Sequence, residues 1–136
     1  MIAPAGMSND QLATLIRGVA SKIHEDQLGF WKFELNSSLV FVITDESHNR
    51  MRIMSPIVEL ADLPQDALQT LLEANFDRAL DARYCINSDT VWSAFLHPLA
   101  ELDDRQFLAA LDQVVTLKNN FGTTFTSSDL IFGGGG

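Results

Sequence analysis

The order of the amphipathic segments constrains this chain most. Two short runs of strand character, 82–86 and 90–96, meet at the polar turn Asn87-Ser88-Asp89 and lead into a segment that opens like a capped helix. Followed along the whole chain, the switching between periods of two and 3.6 predicts helix, three strands, helix, two strands, helix. That order describes an α+β domain, α-β-β-β-α-β-β-α, with an antiparallel sheet packed against helices.

The first helix opens at Ser8, with Gln11 three residues on as in a capping box. Leu12, Leu15, Ile16, Val19 and Ile23 follow at spacings of three and four, so one apolar stripe runs to residue 23. Gly29 breaks the pattern. In 30–35, Trp31, Phe33 and Leu35 share one face, with Lys32 and Glu34 on the other. Residues 36–38 form a turn. The run 39–43 (LVFVI) is apolar at every position and predicts a strand covered on both faces. After a polar hairpin loop at 45–49, a third strand spans 50–58, with Met51, Ile53 and Ser55 opposite Arg52 and Met54. Pro56 predicts that this strand ends at a sheet edge.

Pro64 suits the first turn of a second helix, whose apolar stripe reads Leu68, Leu71, Leu72 and Phe76. The last helix starts at Asp103, with Gln106 as capping-box partner and Leu102 and Phe107 as a hydrophobic staple. Phe107, Leu111, Val114, Val115 and Phe121 form its inner face, and Gly122 stops it. Residues 1–7 read as a flexible leader, 8–125 as one domain, and 126–136 as a flexible glycine-rich tail.

At 136 residues with 46% hydrophobic content, the chain can build one core without a metal or disulfide. Its single cysteine, Cys85, fits a reducing cytoplasm. A net charge of −9 argues against nucleic acid or an anionic membrane surface and favours basic or amphipathic peptide partners. No signal peptide or membrane-spanning run is evident.

Chemistry-bearing residues do not converge in the sequence. His24, His48 and His97 lie in separate segments without metal-ligand spacing. Cys85, mid-strand between Tyr84 and Ile86, lacks a helix N-terminus or imidazole to activate it, so it reads as a structural thiol. Asp103 and Asp104 suit a helix N-terminus better than acid–base work. Neither a metal nor a cofactor is expected.

The element order resembles the class I chaperones of type III secretion, and more closely the YbjN-type putative sensory-transduction regulators. That resemblance is carried by Asn75-Phe76, Ala82-Arg83-Tyr84, Asp89-Thr90-Val91-Trp92, Pro98-Leu99 and the run Leu102-Asp103-Asp104-Arg105-Gln106-Phe107-Leu108-Ala109-Ala110-Leu111. It implies a cytoplasmic homodimer without enzymatic activity that binds a segment of another protein. It directs attention to the first helix and first strands for partner binding: Leu12, Leu15, Ile16, Val19, Phe30, Trp31, Phe33, Val40 and Val42. The alternative expectation is a small-molecule sensor with a pocket between sheet and helix.

Overall fold

In this computed structural model, residues 6–77 and 80–121 are described. The expected leader falls outside that range except for Gly6 and Met7, and the expected tail lies wholly outside it. Met7 is buried and joins the main core.

Three helices and six strands follow in the order α1 (Asn9–Val19), β1 (Lys22–Gln27), β2 (Phe30–Leu35), β3 (Ser38–Asp45), β4 (Arg50–Glu59), α2 (Ala67–Asp77), β5 (Arg83–Asn87), β6 (Thr90–His97) and α3 (Asp104–Asn120). All neighbouring strands are antiparallel, and the sheet order is β1-β2-β3-β4-β6-β5. The expected α+β class is present, with one strand more than the sequence predicts.

The additional strand is β1, in a segment read as the end of the first helix. The helix stops at Val19, and Ala20 turns the backbone extended at φ −65°, ψ 136°. Ile23 therefore leaves the helical stripe and pairs with Phe33 across a hairpin. The sequence KIHEDQ has little strand preference of its own. Ladder bonds to β2 hold it, helped by the Ser21 amide donating to the Glu34 carbonyl at 2.9 Å and by Gly29 at φ 98°.

Side-chain alternation builds the core. Trp31, Val42, Ile53 and Phe95 occupy one row across β2, β3, β4 and β6. They meet Leu12 and Ile16 of α1 and Phe107, Leu111 and Val114 of α3 in one cluster. A smaller cluster joins Leu71 and Ala74 of α2 to Tyr84 and Val91. The buried Ser93 hydroxyl donates to the Val114 carbonyl at 2.9 Å and ties α3 to β6.

Caps follow the sequence, with one change. The capping box of α3 is complete between Asp103 and Gln106. At α1 only half of the expected box forms. Ser8 accepts from the Gln11 amide at 3.2 Å, whereas the Gln11 side chain donates to Asp104 at 2.9 Å and links the two helix N-termini. The turns Asn36-Ser37 and Ser88-Asp89 carry positive φ at both central residues, matching the twist of their hairpins.

Two other expectations meet different outcomes. The strand with Pro56 is central over most of its length, yet its pairing with β3 ends at Met54, so Pro56 lies on a stretch of β4 paired with β6 alone, where a register shift follows it. The run 39–43 is covered on one face only. Val40 and Val42 are buried, whereas Leu39, Phe41 and Ile43 are half-buried on the other side.

Arg17 of α1 grips Asp26 of β1 through Nε at 2.8 Å and Nη2 at 3.0 Å. The guanidinium holds the Asp26 carboxyl below its ordinary 3.8. A depressed carboxyl stabilises the folded state above its unfolded value, and that contribution disappears as pH falls through the folded value. Asp26→Asn should therefore be less stable than the parent near neutral pH, with the difference vanishing on acidification below about pH 3.8. Urea melts at several pH values check this; a difference that grows on acidification would refute the pairing.

Ile16 and Ile23 belong to one stripe in the sequence but not in the structure, where Ile16 is 0% and Ile23 36% exposed. Ile16→Ala should cost about 2–5 kcal/mol and Ile23→Ala under about 1 kcal/mol in chemical denaturation. Equal costs would contradict the early end of α1.

Candidate binding surfaces

The three helices share one face of the sheet, and among the described residues nothing covers the other. Pairing sets out the contents of that outer face row by row. One row reads Gln27, Phe30, Ile43, Arg52, Leu96; the next reads Glu25, Lys32, Phe41, Met54, Ala94, Arg83. Beyond them Pro56, Trp92 and Cys85 align. Phe41 lies between Phe30 at 6.1 Å and Trp92 at 5.8 Å, in tilted and edge-on geometry. Lys32 places its ammonium 5.8 Å from the Phe41 ring centre. Leu96 is 53% exposed. A contiguous apolar surface on a sheet face is the kind that partners cover.

A second apolar surface lies on α2. The helix turns Ala67, Leu71 and Ala74 inward, not the full stripe that its sequence suggests. Leu68 is 41%, Leu72 69% and Phe76 90% exposed, with Ile86 beside Leu68 and Leu72. Small alanines at the inner positions let α2 lie close to β5, and this leaves the larger side chains outside. Between α2 and β5 is a cleft of about 210 Å³ lined by Leu68, Leu71, Leu72, Asn75, Tyr84, Cys85 and Ile86. That is below the ~300–1,000 Å³ of ordinary small-molecule sites, whereas an open concavity of about 690 Å³ at the N-termini of α1 and α3 and one of about 540 Å³ around Gly29, Thr44 and Arg52 fall within it.

The two sheet edges differ. On β5, the Asn75 side chain donates to the Tyr84 carbonyl at 3.0 Å and accepts from the Tyr84 amide at 2.7 Å, standing in for a neighbouring strand. On β1 every residue is exposed, and the charged side chains of Lys22, Glu25 and Asp26 interrupt it.

The nine positions singled out for partner binding separate clearly. Leu12, Ile16, Trp31, Phe33, Val40 and Val42 are 0% exposed and form the core. Leu12 and Ile16 lie on the inner side of α1, and strand alternation turns the other four toward the helices, so none is available at the surface of the folded chain. Leu15 is partly buried against the core, Val19 is 37% exposed, and Phe30 lies on the outer sheet face. The sequence-based selection missed Phe41, Trp92, Leu96, Leu72 and Phe76. The signal for the first three was the two-sided apolar character of β3 and β6.

Reactive side chains stay apart. Burial pushes the Cys85 thiol up, away from the thiolate form. His97 stacks on Phe95 at 5.6 Å at the far end of β6 and lies 2.8 Å from the Pro98 carbonyl through Nδ1. His24 meets Glu34, and His48 meets Asp45, each at 2.8 Å on the exposed surface. Among the described residues no group of three His, Cys, Asp or Glu side chains is placed to hold a metal ion. None of the described helices is long and apolar enough to cross a membrane.

No protein-family model and no curated protein matches the sequence. Solved structures do match the fold. A chain of the ExsC–ExsE complex superposes with a TM-score of 0.65 at 15% identity, covering 86% of this chain and 96% of that one. A chain of the HopA1–SchA chaperone–effector complex gives 0.61 at 12% identity, with 81% and 88% coverage. The Yersinia pestis type III secretion chaperone SycH, in complex with a stable fragment of YscM2, gives 0.57 at 15% identity, with 81% and 98% coverage. The antiparallel six-stranded sheet with three helices is thus the α+β fold of type III secretion chaperones; at these identities the likeness concerns fold alone.

If Asn75 closes the β5 edge, Asn75→Ala should lower stability by about 1–3 kcal/mol through two unpaired backbone groups. It should also speed exchange of the Tyr84 amide in hydrogen-exchange mass spectrometry. Unchanged protection at Tyr84 would show that the edge is closed by something else.

Proposed function

We propose that this chain is a non-enzymatic, chaperone-like protein that binds a segment of a partner protein as a cytoplasmic homodimer. The observation that carries the reading is the one-sided packing of the sheet, which leaves the Phe30–Phe41–Trp92 surface free for another chain. The fold supports it, since three solved relatives in fold are complexes of a small chain with a protein partner. A partner segment lies across the outer face, from Phe30 on β2 to Leu96 on β6. Main-chain pairing, where it contributes, uses the open β1 edge, because Asn75 blocks β5.

The α2–β5 surface is our choice for the dimer contact. Leu72 and Phe76 are too exposed for a solitary helix, and a second copy related by a twofold axis would cover both. Closeness to the YbjN-type regulators is also part of this reading, and rests on the sequence runs around Trp92 and Phe107.

A photo-reactive phenylalanine analogue at Leu96 tests the function, with the same group at Leu108 of α3 as control. In lysate of the native host, Leu96 should crosslink one defined protein and Leu108 should not. Light scattering on the same preparation should give twice the 15.0 kDa chain mass, falling to 15.0 kDa in Leu72→Glu/Phe76→Glu. Crosslinking from both positions alike would reject the outer face as the binding surface; a monomeric parent would reject the dimer.

A further inference from the structure

The whole chain is acidic, at −9, yet its outer sheet face is not. On the four strands β3, β4, β6 and β5, the outward positions carry Arg50, Arg52 and Arg83 among apolar residues, and Lys32 follows on β2. Two acids share those outward positions: Glu59 at the end of β4, which accepts from the Thr90 hydroxyl at 3.2 Å, and Asp45 at the tip of β3. The Asp45 carboxylate is already engaged by the Ser47 hydroxyl at 2.7 Å and by His48 at 2.8 Å. Glu25 and Glu34 stand at the β1 side, the latter held by His24. Among the described residues, no carboxylate comes within ion-pair distance of Lys32, Arg50, Arg52 or Arg83.

The arrangement has a definite spacing. With strands about 4.8 Å apart, Lys32 and Arg83 lie roughly 19 Å from each other across the sheet, and Arg52 lies between them in the adjacent row. Phe41, Met54 and Ala94 fill the interval between Lys32 and Arg83. Lys32 is poised over the Phe41 ring, and Arg83 donates to the Leu80 and Ala82 carbonyls, so both cations are positioned before a ligand arrives.

We propose that the segment bound on this face is an acidic one, with Asp or Glu residues flanking large apolar side chains that cover Phe41 and Trp92. This inference rests on the protein-binding reading above and specifies its partner's chemistry. It opposes what net charge alone suggests, because the field at the binding surface is set by the nearest groups within a Debye length of about 8 Å. The acids of α1, α2 and α3 lie behind the sheet.

Two designed peptides of about 16 residues, ~24 Å long as helices, provide the test. Both carry Leu and Phe at helical spacing; one has Glu at the flanking positions and the other Lys. Trp92, half-exposed on the face, reports binding by fluorescence, while Trp31 is buried in the core. The Glu peptide should bind about tenfold more tightly than the Lys peptide at low salt, and the gap should close in 0.5 M NaCl. Lys32→Glu/Arg52→Glu should reverse the preference, with circular dichroism and particle mass unchanged; Lys32→Gln/Arg52→Gln serves if the reversal unfolds the chain, and should abolish the preference. Equal binding, or preference for Lys in the parent, overturns the acidic partner but leaves protein binding on this face standing. Failure of both peptides to perturb Trp92 overturns both readings. A change of particle mass in the charge variant identifies a second copy as the occupant and also overturns the proposal.

Discussion

The row formed by Trp31, Val42, Ile53 and Phe95 is the constraint on which the rest of the structure depends. Four large side chains from four adjacent strands point to the same side because strand side chains alternate. Once they are buried against Leu12, Ile16, Phe107 and Leu111, the register of every neighbouring residue is fixed. A shift of one residue in β3 would exchange Val40 and Val42 for Leu39, Phe41 and Ile43. The outer face, with its aromatics and its cations, is therefore a consequence of core packing.

Placing all three helices on one side concentrates burial there. It leaves the apolar residues of β3 and β6 that face outward without helical cover. A soluble domain of this size ordinarily sets polar residues on an uncovered antiparallel face. Here Phe30, Leu39, Phe41, Ile43, Trp92 and Leu96 occupy it, and Lys32, Arg52 and Arg83 are interspersed among them. The combination of apolar anchors with fixed cations distinguishes the surface from a core that is merely incomplete. The α2 surface differs: it is apolar, without neighbouring cations across the cleft, and suits a like surface on a second copy.

Much of this was legible in the residues. Caps and turn formers located α1 at Ser8 and α3 at Asp103, and the polar pairs Asn36-Ser37 and Ser88-Asp89 marked two hairpins whose positive φ values the structure bears out. Other features were hidden for physical reasons. The segment 22–27 has no strand preference, and only ladder bonds to β2 make it one. The stripe of α2 contains more leucine than its inner face can use, because the two alanines determine how closely it packs. Pro56 implied that the end of its strand lies at an edge, and β4 does lose β3 as a partner beyond Met54, but that β4 is otherwise central was not legible.

The candidate surface shows the same division. The sequence determined the element types, the inward faces of β2, β4 and α3, and which residues are large and apolar. All of these are set by short-range periodicity and by capping groups a few residues apart. Tertiary structure decided which of those apolar residues remain outside: six of the nine positions chosen from the sequence are in the core, and Phe41, Trp92 and Leu96 are exposed in their place. It also decided which charges meet, because Lys32, Arg52 and Arg83 come from three strands and share a face only once the sheet has formed. Linear order records spacing along the chain; the number of faces that find cover depends on where the helices pack, and that is settled by contacts between distant residues.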